Sequence, residues 1–379
     1  MSQRFTTDDV ARQLDDCTFS PKMCRHACPV STTTGRETLI PQAKMDRLNK
    51  LVRGLEPWRA DAADPLWACT GCRHCTTYCD HGNEPGLVLL AGRAEATKHG
   101  AGHPALTGYG ERFRARDQRL AATAKERFGA AAFASTGVIG FWPGCDSLDK
   151  GGADVAAAQA VFERLGVGAV PLVDAGLACA GYPLLAAGLP DEFRWHAGKV
   201  ATALRRFRTI VIGCSACRYA ITSLYQGEGI TVGTEILSVA EFLAAHADEL
   251  PVPAERKAVY YHDPCYLARS AGVVDEPRRV LAQVADVREF AWHGTDTECC
   301  GGGGLLPKTM PAAADAMARR RLAELAAKGG GTVATACGTC TLMLRRNAPE
   351  GVEVADLATA VATLTDTPFT PPAAEDDEA

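Results

Sequence analysis

The chain lacks an excess of positive charge and lacks a long apolar run. It carries 40 Lys and Arg against 45 Asp and Glu over 379 residues, a formal net charge of -5. This balance argues against a nucleic-acid partner. The most apolar stretch, residues 130–142, is interrupted by glycine and is shorter than the about 20 residues that a bilayer span requires. We therefore expect neither nucleic-acid binding nor a transmembrane segment.

An export signal is also missing from the start of the sequence. Residues 1–16 are polar and acidic, unlike the apolar core of a secretory signal peptide. Thiols in a protein that stays inside the cell remain reduced, so clustered cysteines indicate metal ligands rather than disulfides. We expect a cytoplasmic protein, which a membrane-bound partner could hold at the inner face of the membrane.

Nucleotide-binding motifs are absent as well. The sequence has no dinucleotide fingerprint, so a flavin would be bound by a partner subunit. The glycine run at 301–304 lacks the G-K-[ST] ending of a phosphate-binding loop, and Lys308 lies out of position for one. We expect these glycines instead to let the backbone approach a metal centre closely.

Cysteine, in contrast, is abundant, with sixteen in the chain. Four of them, Cys69, Cys72, Cys75 and Cys79, have the spacing C-x2-C-x2-C-x3-C. This is the ligand run of a cubane iron–sulfur cluster, in which the fourth cysteine binds a second cluster. A zinc knuckle and a disulfide knot are the alternatives. Zinc is less favoured because its sites usually take two separated cysteine pairs.

A second, incomplete run precedes the first. Cys24 and Cys28, followed by proline, form the C-x3-C-P end of a ferredoxin run, and Cys17 lies one residue out of register. The positions of the earlier ligands in a regular run hold Thr18 and Pro21. This arrangement resembles the seven-iron ferredoxins, which carry one three-iron and one four-iron cluster.

The resemblance to seven-iron ferredoxins implies two ligand sets. A [4Fe–4S] cluster would be held by one set, namely Cys28, Cys69, Cys72 and Cys75. The other set, Cys17, Cys24 and Cys79, would hold a [3Fe–4S] cluster, or a second [4Fe–4S] cluster with a non-cysteine ligand such as Asp16.

The remaining cysteines reveal an internal repeat. Cys145, Cys179, Cys214 and Cys217 recur as Cys265, Cys299, Cys337 and Cys340, at offsets of 120, 120, 123 and 123 residues. Such regular offsets predict two tandem modules. Buried strands are predicted at residues 138–142, 167–173 and 209–212 in the first module, and at 259–262, 287–292 and 332–335 in the second. Helices between them favour parallel α/β modules.

The strand positions also predict where the thiols lie. Cys145, Cys214, Cys265 and Cys337 each follow a predicted strand directly, and ligands in such sheets bind at the carboxyl ends of the strands. The thiols of each module should therefore converge at one edge, where a metal or cluster would balance several thiolates.

We therefore predict an α+β multidomain protein. A helical dicluster ferredoxin-like domain spans residues 1–110 and a linker helix spans 111–136. Two tandem α/β cysteine-rich modules follow at 137–250 and 251–365. Residues 366–379, which are rich in proline and acids, are expected to form a disordered tail.

The second module resembles the CCG cysteine-rich domain, because Cys265, the Cys299-Cys300-Gly301 triplet and the Cys337-x2-Cys340 pair match its motif. With the dicluster region, the chain resembles the D-type subunit of heterodisulfide reductase. It also resembles the iron–sulfur subunits of glycolate oxidase, lactate-utilisation and anaerobic glycerol-3-phosphate dehydrogenase complexes. In heterodisulfide reductases such a motif holds a noncubane [4Fe–4S] cluster, which implies catalytic ligands at Cys265, Cys299, Cys300, Cys337 and Cys340.

The first module has only four cysteines, because Cys179-Ala180-Gly181 stands where the second module has the CCG triplet. Alanine does not bind metal. A cubane [4Fe–4S] cluster, a structural zinc ion on four cysteines and an empty site remain open for this module.

Three functions follow from these features. The first is an oxidoreductase subunit that relays electrons between a flavin-dependent dehydrogenase partner and a quinone, ferredoxin or other carrier. The second is disulfide reduction of the heterodisulfide type at the noncubane cluster, and the third is a redox sensor or zinc scaffold. We favour the first, because the missing fifth ligand weakens paired-cluster disulfide chemistry and leaves electron conduction intact.

Overall fold

A computed structural model describes residues 7–149 and 151–372. Its N-terminal region is helical, as the sequence predicts. The helices there are α1 (Thr7–Phe19), α2 (Pro29–Thr34), α3 (Pro41–Val52), α4 (Ala60–Ala63), α5 (His74–Thr77), α6 (Pro85–Lys98) and α7 (Tyr109–Phe128). Proline occupies the first position of α2, α3 and α6, where its missing N–H leaves no hydrogen bond unmade.

The helices of this region pack around an apolar centre. Helix α3 contacts both α1 and α6, and Met45, Leu48 and Trp67 are almost completely buried between them. Loops rather than helix interiors carry most of the cysteines. The helical region therefore serves as a frame that holds the cysteine loops in place.

The first of two parallel sheets follows. Its strands are β1 (Phe133–Ala134), β2 (Gly137–Trp142), β3 (Leu172–Val173), β4 (Phe207–Ile212) and β5 (Glu235–Ser238), in the order β1-β3-β2-β4-β5. The helices among and after them are α8 (Cys145–Asp149), α9 (Ala153–Arg164), α10 (Tyr182–Ala186), α11 (Pro190–Leu204), α12 (Ser215–Tyr219), α13 (Tyr225–Gly227) and α14 (Val239–Ala245). All of the strand pairs are parallel.

The second sheet is also parallel. Its strands are β6 (Lys257–His262), β7 (Ala285–Glu289), β8 (Gly331–Thr335) and β9 (Val352–Asp356), in the order β7-β6-β8-β9. Its helices are α15 (Asp275–Val284), α16 (Leu306–Thr309), α17 (Pro311–Ala327), α18 (Gly338–Arg345) and α19 (Leu357–Leu364). The order β3-β2-β4-β5 in the first sheet thus has the same pattern as β7-β6-β8-β9 in the second.

Two predicted strands differ from the structure. The strand predicted at 167–173 is reduced to Leu172–Val173, because Gly166 and Gly168 adopt φ angles of 70° and 78° that interrupt an extended chain. The strand predicted at 287–292 instead spans Ala285–Glu289. It begins directly after α15, at the residue that caps that helix.

The predicted linker and part of the predicted disordered tail both pack against the rest of the chain. Helix α7, inside the predicted linker, buries Phe113, Leu120 and Ala124. The part of the predicted tail at 366–372 has no regular structure, but Phe369 packs against the core. Residues 373–379, with the acidic end of that tail, lie outside the described residues. No helix within 7–149 or 151–372 has both the length and the apolar character to cross a bilayer.

Candidate metal centres

Four N-terminal thiols surround one small cavity. Cys69 and Cys72 lie on the loop before α5, Cys75 lies in α5, and Cys28 directly precedes α2. All four line this cavity. Within the loop, positive φ angles of 71° at Gly71 and 62° at Arg73 turn the chain so that the thiols face inward. The structure therefore brings together the four residues predicted for the [4Fe–4S] site.

Three further thiols form a neighbouring group. Asn83 donates from Nδ2 to Cys17 Sγ over 3.3 Å, and its backbone N–H donates to Cys79 Sγ over 3.4 Å. Burial raises the pKa of Cys17 to about 11, and the Cys79 and Cys24 thiols add to this effect. The three cysteines are therefore near neighbours. The adjacent Asp16 pairs with an arginine, Arg12, at 2.7 Å.

The nine C-terminal cysteines share a single cavity of about 690 Å³. Those of the first module are Cys145, Cys179, Cys214 and Cys217, and those of the second are Cys265, Cys299, Cys300, Cys337 and Cys340. The sequence predicts that the thiols of each module converge at one edge of that module. The structure places the carboxyl edges of the two sheets face to face, so that both sets of thiols open into the same space.

Thiols of the second module form a continuous series of contacts. Cys265 contacts Cys299, which contacts Cys300; Cys300 contacts Cys340, and Cys340 contacts Cys337. Hydrogen bonds from the Cys299 and Cys340 thiols lower the pKa of Cys300 well below its usual value. All five are buried. Five convergent thiols without a disulfide are a donor set that fits an iron–sulfur centre.

The first module brings four thiols together in two pairs. Cys145 contacts Cys179, and Cys214 contacts Cys217. Gly144 adopts a φ of 91°, and a Cβ on this glycine would lie only 2.6 Å from Cys214 Cβ, so the turn brings strand β2 close to the ligand loop. Ala180 is fully buried, and no thiol stands in its place. Four thiols fit either a cubane cluster or zinc.

The dicluster loop contacts the second module directly. The thiols of Cys72 and Cys299 are in contact, and this contact is the largest of the causes that raise the pKa of Cys72 well above its usual value. Arg269 donates from Nε to Cys72 O over 2.6 Å. A Cβ at Gly304 would collide with the carbonyl oxygen of Cys69. The glycine run therefore allows a close approach to the backbone of the dicluster loop, whereas its predicted approach to a metal centre stays a prediction.

Sequence reasoning missed one charged residue at the first centre. Lys44 lies in α3 at a buried position, in the stripe that also contains Pro41, Met45 and Leu48. Burial lowers the pKa of Lys44, but the nearby cysteine thiolates outweigh burial, so the net shift is upward. The helical spacing of that stripe places a lysine where an apolar residue is expected. This mismatch is the sequence signal that could have identified Lys44.

Two segments of the chain match known protein families. Residues 13–83 match a 4Fe–4S dicluster domain, and residues 259–345 match the cysteine-rich domain named CCG. The predicted dicluster region and the resemblance of the second module to the CCG domain are thus confirmed. The dicluster match indicates 4Fe–4S clusters, and the cysteine-rich match indicates iron–sulfur binding in the second module.

Curated relatives carry related names. The B subunit of a fumarate reductase (CoM/CoB) from Methanothermobacter marburgensis is 28% identical over 288 residues, which are 74% of this chain and 57% of that protein. The D subunit of a dihydromethanophenazine:CoB–CoM heterodisulfide reductase from Methanosarcina mazei is 25% identical over 89% of both chains. A probable membrane-anchored ferredoxin from Chromohalobacter salexigens is 35% identical over 34% of this chain and 20% of that protein. The chain thus spans little more than half of the fumarate reductase subunit.

Proposed function

We propose that this iron–sulfur protein, which combines a 4Fe–4S dicluster domain with a CCG cysteine-rich domain, is the electron-transfer subunit of an oxidoreductase complex. It would relay electrons between a flavin-dependent dehydrogenase partner and a quinone, ferredoxin or other carrier. The observation that carries the proposal is the contact between Cys72 of the dicluster loop and Cys299 of the second module.

In this proposal the thiol groups are ligand sets. Bound iron–sulfur clusters supply one-electron transfer. A [4Fe–4S] cluster is assigned to Cys28, Cys69, Cys72 and Cys75, and a [3Fe–4S] cluster to Cys17, Cys24 and Cys79. The five cysteines of the second module are assigned to a noncubane cluster. The first module, with four thiols, is assigned a cubane cluster, with structural zinc as the alternative.

A series of sulfur neighbours connects the four sets. The Cys24 thiol is close enough to Cys75 to raise its pKa, after burial and the other three thiols of its own set. Cys72 then contacts Cys299, and Cys214 of the first module contacts Cys337 of the second. Electrons that enter the dicluster region would therefore reach the second module before the first.

The modules themselves are proposed to be a tandem duplication. The matching order of strands in the two sheets supports this proposal, as do the equivalent positions of Cys145 and Cys265 after β2 and β6. Ala180 marks the divergence of the first copy, since it occupies the position of Cys300. The family match covers the second copy and not the first.

An EPR experiment on anaerobically reconstituted protein tests the relay. Because Cys72 and Cys299 are in contact, the cluster of the four-thiol N-terminal set and the cluster of the second module should lie close together. Their EPR signals should therefore broaden each other when both clusters are reduced. A Cys337→Ala/Cys340→Ala double variant, which leaves the second module only three thiols, should remove the part of this broadening that comes from the second module. Cys145→Ala, which alters the first module only, is the matched control and should leave the broadening in place. Sharp, non-interacting signals in fully loaded protein would contradict the proposed order of centres.

Co-purification tests the assignment to a complex. The chain should be isolated anaerobically from its own source with a flavin-containing partner, and that partner's substrate should reduce its clusters. Isolation of fully loaded protein without any flavoprotein or redox partner, together with no reduction by flavoproteins of the same source, would overturn the assignment.

A second function, disulfide reduction at the second module, is favoured by the 690 Å³ cavity onto which its five thiols open. A substrate disulfide would take up two electrons and two protons there and leave as two thiols. Cys300→Ala should abolish such activity with an artificial donor, and Ala180→Cys should keep it. Activity that survives Cys300→Ala would exclude this function.

A further inference from the structure

Lys44 is a lysine in a position that normally holds an apolar side chain. Only 2% of it is exposed, and it lies on the inner face of α3 beside Met45 and Leu48. Burial of a charged group is unfavourable unless the charge is paired and hydrogen-bonded. The surroundings of Lys44 should therefore contain a compensating group.

That group is a cysteine of the four-thiol site. Lys44 Nζ donates to Cys28 Sγ over 3.3 Å and to the carbonyl oxygen of Ala68 over 2.8 Å. Lys44 also lines the small cavity with Cys28, Cys69, Cys72 and Cys75. Among the ion pairs of the described residues, none joins Lys44 to a carboxylate. Its ammonium charge is thus directed at the sulfurs.

The neighbouring three-thiol group has a donor of a different kind. Asn83 Nδ2 donates to Cys17 Sγ over the same 3.3 Å, but an amide carries no net charge. Hydrogen bonds to the sulfurs and the net charge of the site both set the reduction potential of an iron–sulfur cluster. Of the two sites, as far as the described residues extend, only the four-thiol site has a buried cation at this distance from a sulfur. The Lys44–Cys28 and Asn83–Cys17 contacts are therefore equal in length and differ in the charge of the donor.

We propose that Lys44 is a positioning residue that raises the reduction potential of the cluster assigned to Cys28, Cys69, Cys72 and Cys75. The inference rests on the proposed function. Reduction adds one electron and therefore one negative charge to this site, and no covalent bond forms or breaks. A fixed ammonium beside Cys28 Sγ stabilises the reduced form more than the oxidised form. The contact therefore favours reduction of the four-thiol centre.

A redox titration of the reconstituted protein, followed by EPR, measures the effect. Lys44→Met keeps the volume and removes the charge and the donor. It should lower the equilibrium constant for reduction of this cluster at least tenfold, which is about 59 mV for a one-electron couple. Lys44→Gln, which keeps a neutral donor, should give a smaller shift. The potentials of the other clusters should stay in place.

Lys50→Met is the matched control. Lys50 lies in the same helix, is half-exposed and pairs with Asp46 at 2.8 Å. This substitution removes the same charge from α3 without touching a cysteine contact, so the potential should not move. A shift equal to that of Lys44→Met would show that overall charge, and not the contact with Cys28, sets the potential.

A direct readout covers the case in which Lys44→Met assembles poorly. Exchange into D2O followed by ENDOR should reveal, in the native protein and in Lys44→Arg, an exchangeable proton coupled to this cluster that is missing in Lys44→Met. The N–H of Gly71, which donates to Cys69 Sγ over 3.4 Å, does not depend on Lys44 and should stay coupled in all three proteins. Unchanged potentials in fully loaded Lys44→Met, or persistence in that variant of the proton assigned to Lys44, would overturn the inference. If Cys72→Ala leaves the iron content unchanged, the ligand assignment fails instead, and so does the proposed function.

Discussion

Arg321 donates from Nε to His262 Nδ1 over 3.0 Å, and both side chains are buried. Because Nδ1 accepts this bond, the ring proton lies on Nε2. Nε2 has no hydrogen-bond partner among the described residues. The donor atoms of His262, Cys300 and Cys340 all lie within 4.8 Å of one another. The imidazole ring of His262 therefore lies close to two sulfurs of the second module.

His262→Phe should lower the reduction potential of the second-module cluster and keep its iron. The physical reason is the loss of a buried N–H that stabilises negative charge on the sulfurs. We expect a change of roughly tenfold in the reduction equilibrium, about 59 mV for one electron, in an EPR redox titration. Iron and sulfide counts are the control. Loss of iron in His262→Phe would mean that the histidine is a ligand rather than a donor.

Cys17→Ser should remove the EPR signal of an oxidised three-iron cluster. Among the described residues, this group has three cysteines, namely Cys17, Cys24 and Cys79. The candidate fourth ligand, Asp16, is paired with Arg12. Three thiolates suit a three-iron centre. Thr18→Ala, a change next to the same cysteine that leaves all three thiols in place, should retain the signal. A signal that persists unchanged in Cys17→Ser would contradict the assignment to this group.

Arg93→Met should destabilise the whole chain. Arg93 is 1% exposed and donates to four backbone carbonyls, which belong to Leu66, Cys69, Ala186 and Gly304. Each buried acceptor left without a partner costs about 1–3 kcal/mol, so a loss of roughly 3 kcal/mol or more is expected in denaturant unfolding.

Arg93→Lys provides the comparison for this prediction. Lysine keeps the charge but cannot reach all four carbonyls, so its unfolding free energy should lie between those of the wild type and Arg93→Met. Limited proteolysis should cut Arg93→Met faster between the dicluster region and the modules. Equal stability of all three proteins would show that water satisfies these carbonyls.

Asp356→Asn should stabilise the protein at neutral pH. Burial, together with repulsion from Asp154, raises the pKa of Asp356 well above its usual value. The folded state therefore binds a proton that the unfolded state releases above about pH 3.9, so stability falls as the pH rises through the window between the two pKa values. Asparagine has no charge and keeps the cap, because its side-chain oxygen still accepts from Ala358 N.

The measurement is the pH dependence of the stability difference between Asp356→Asn and the wild type. Thermal unfolding should show Asp356→Asn ahead of the wild type near pH 7, with the difference shrinking toward pH 4. Asp356→Ala removes the cap of α19 as well and should forfeit about 1 kcal/mol relative to Asp356→Asn. A difference independent of pH would show that the carboxyl does not titrate between these limits.

Local sequence signals were enough to select the cysteines that the structure brings together. The ferredoxin spacing identified Cys69, Cys72 and Cys75, and the strand ends identified Cys145 and Cys265, because these signals depend on neighbouring residues. The linker helix predicted at 111–136 overlaps α7, which ends at Phe128, before strand β1 begins at Phe133. Gly166 and Gly168 shortened β3, since their positive φ angles are a backbone property that hydrophobic spacing does not report.

The relative placement of the modules could not be predicted from the sequence. Their edges meet through contacts far apart in the chain, such as the hydrogen bond of 2.6 Å from Thr339 Oγ1 to Asp146 Oδ2. The contact between Tyr266 and Thr70 O, 2.7 Å long, joins residues 196 positions apart. No periodic pattern encodes such a pair. The shared cavity and the Cys72–Cys299 contact both follow from this tertiary docking.

The face-to-face arrangement of the two sheet edges has a chemical consequence for the intact protein. The nine cysteine sulfurs of the two modules line one cavity. A small oxidant or alkylating agent that enters this cavity therefore reaches the thiols of both modules. Damage to one centre and damage to the other are thereby linked, and whatever closes the mouth of the cavity shields both together.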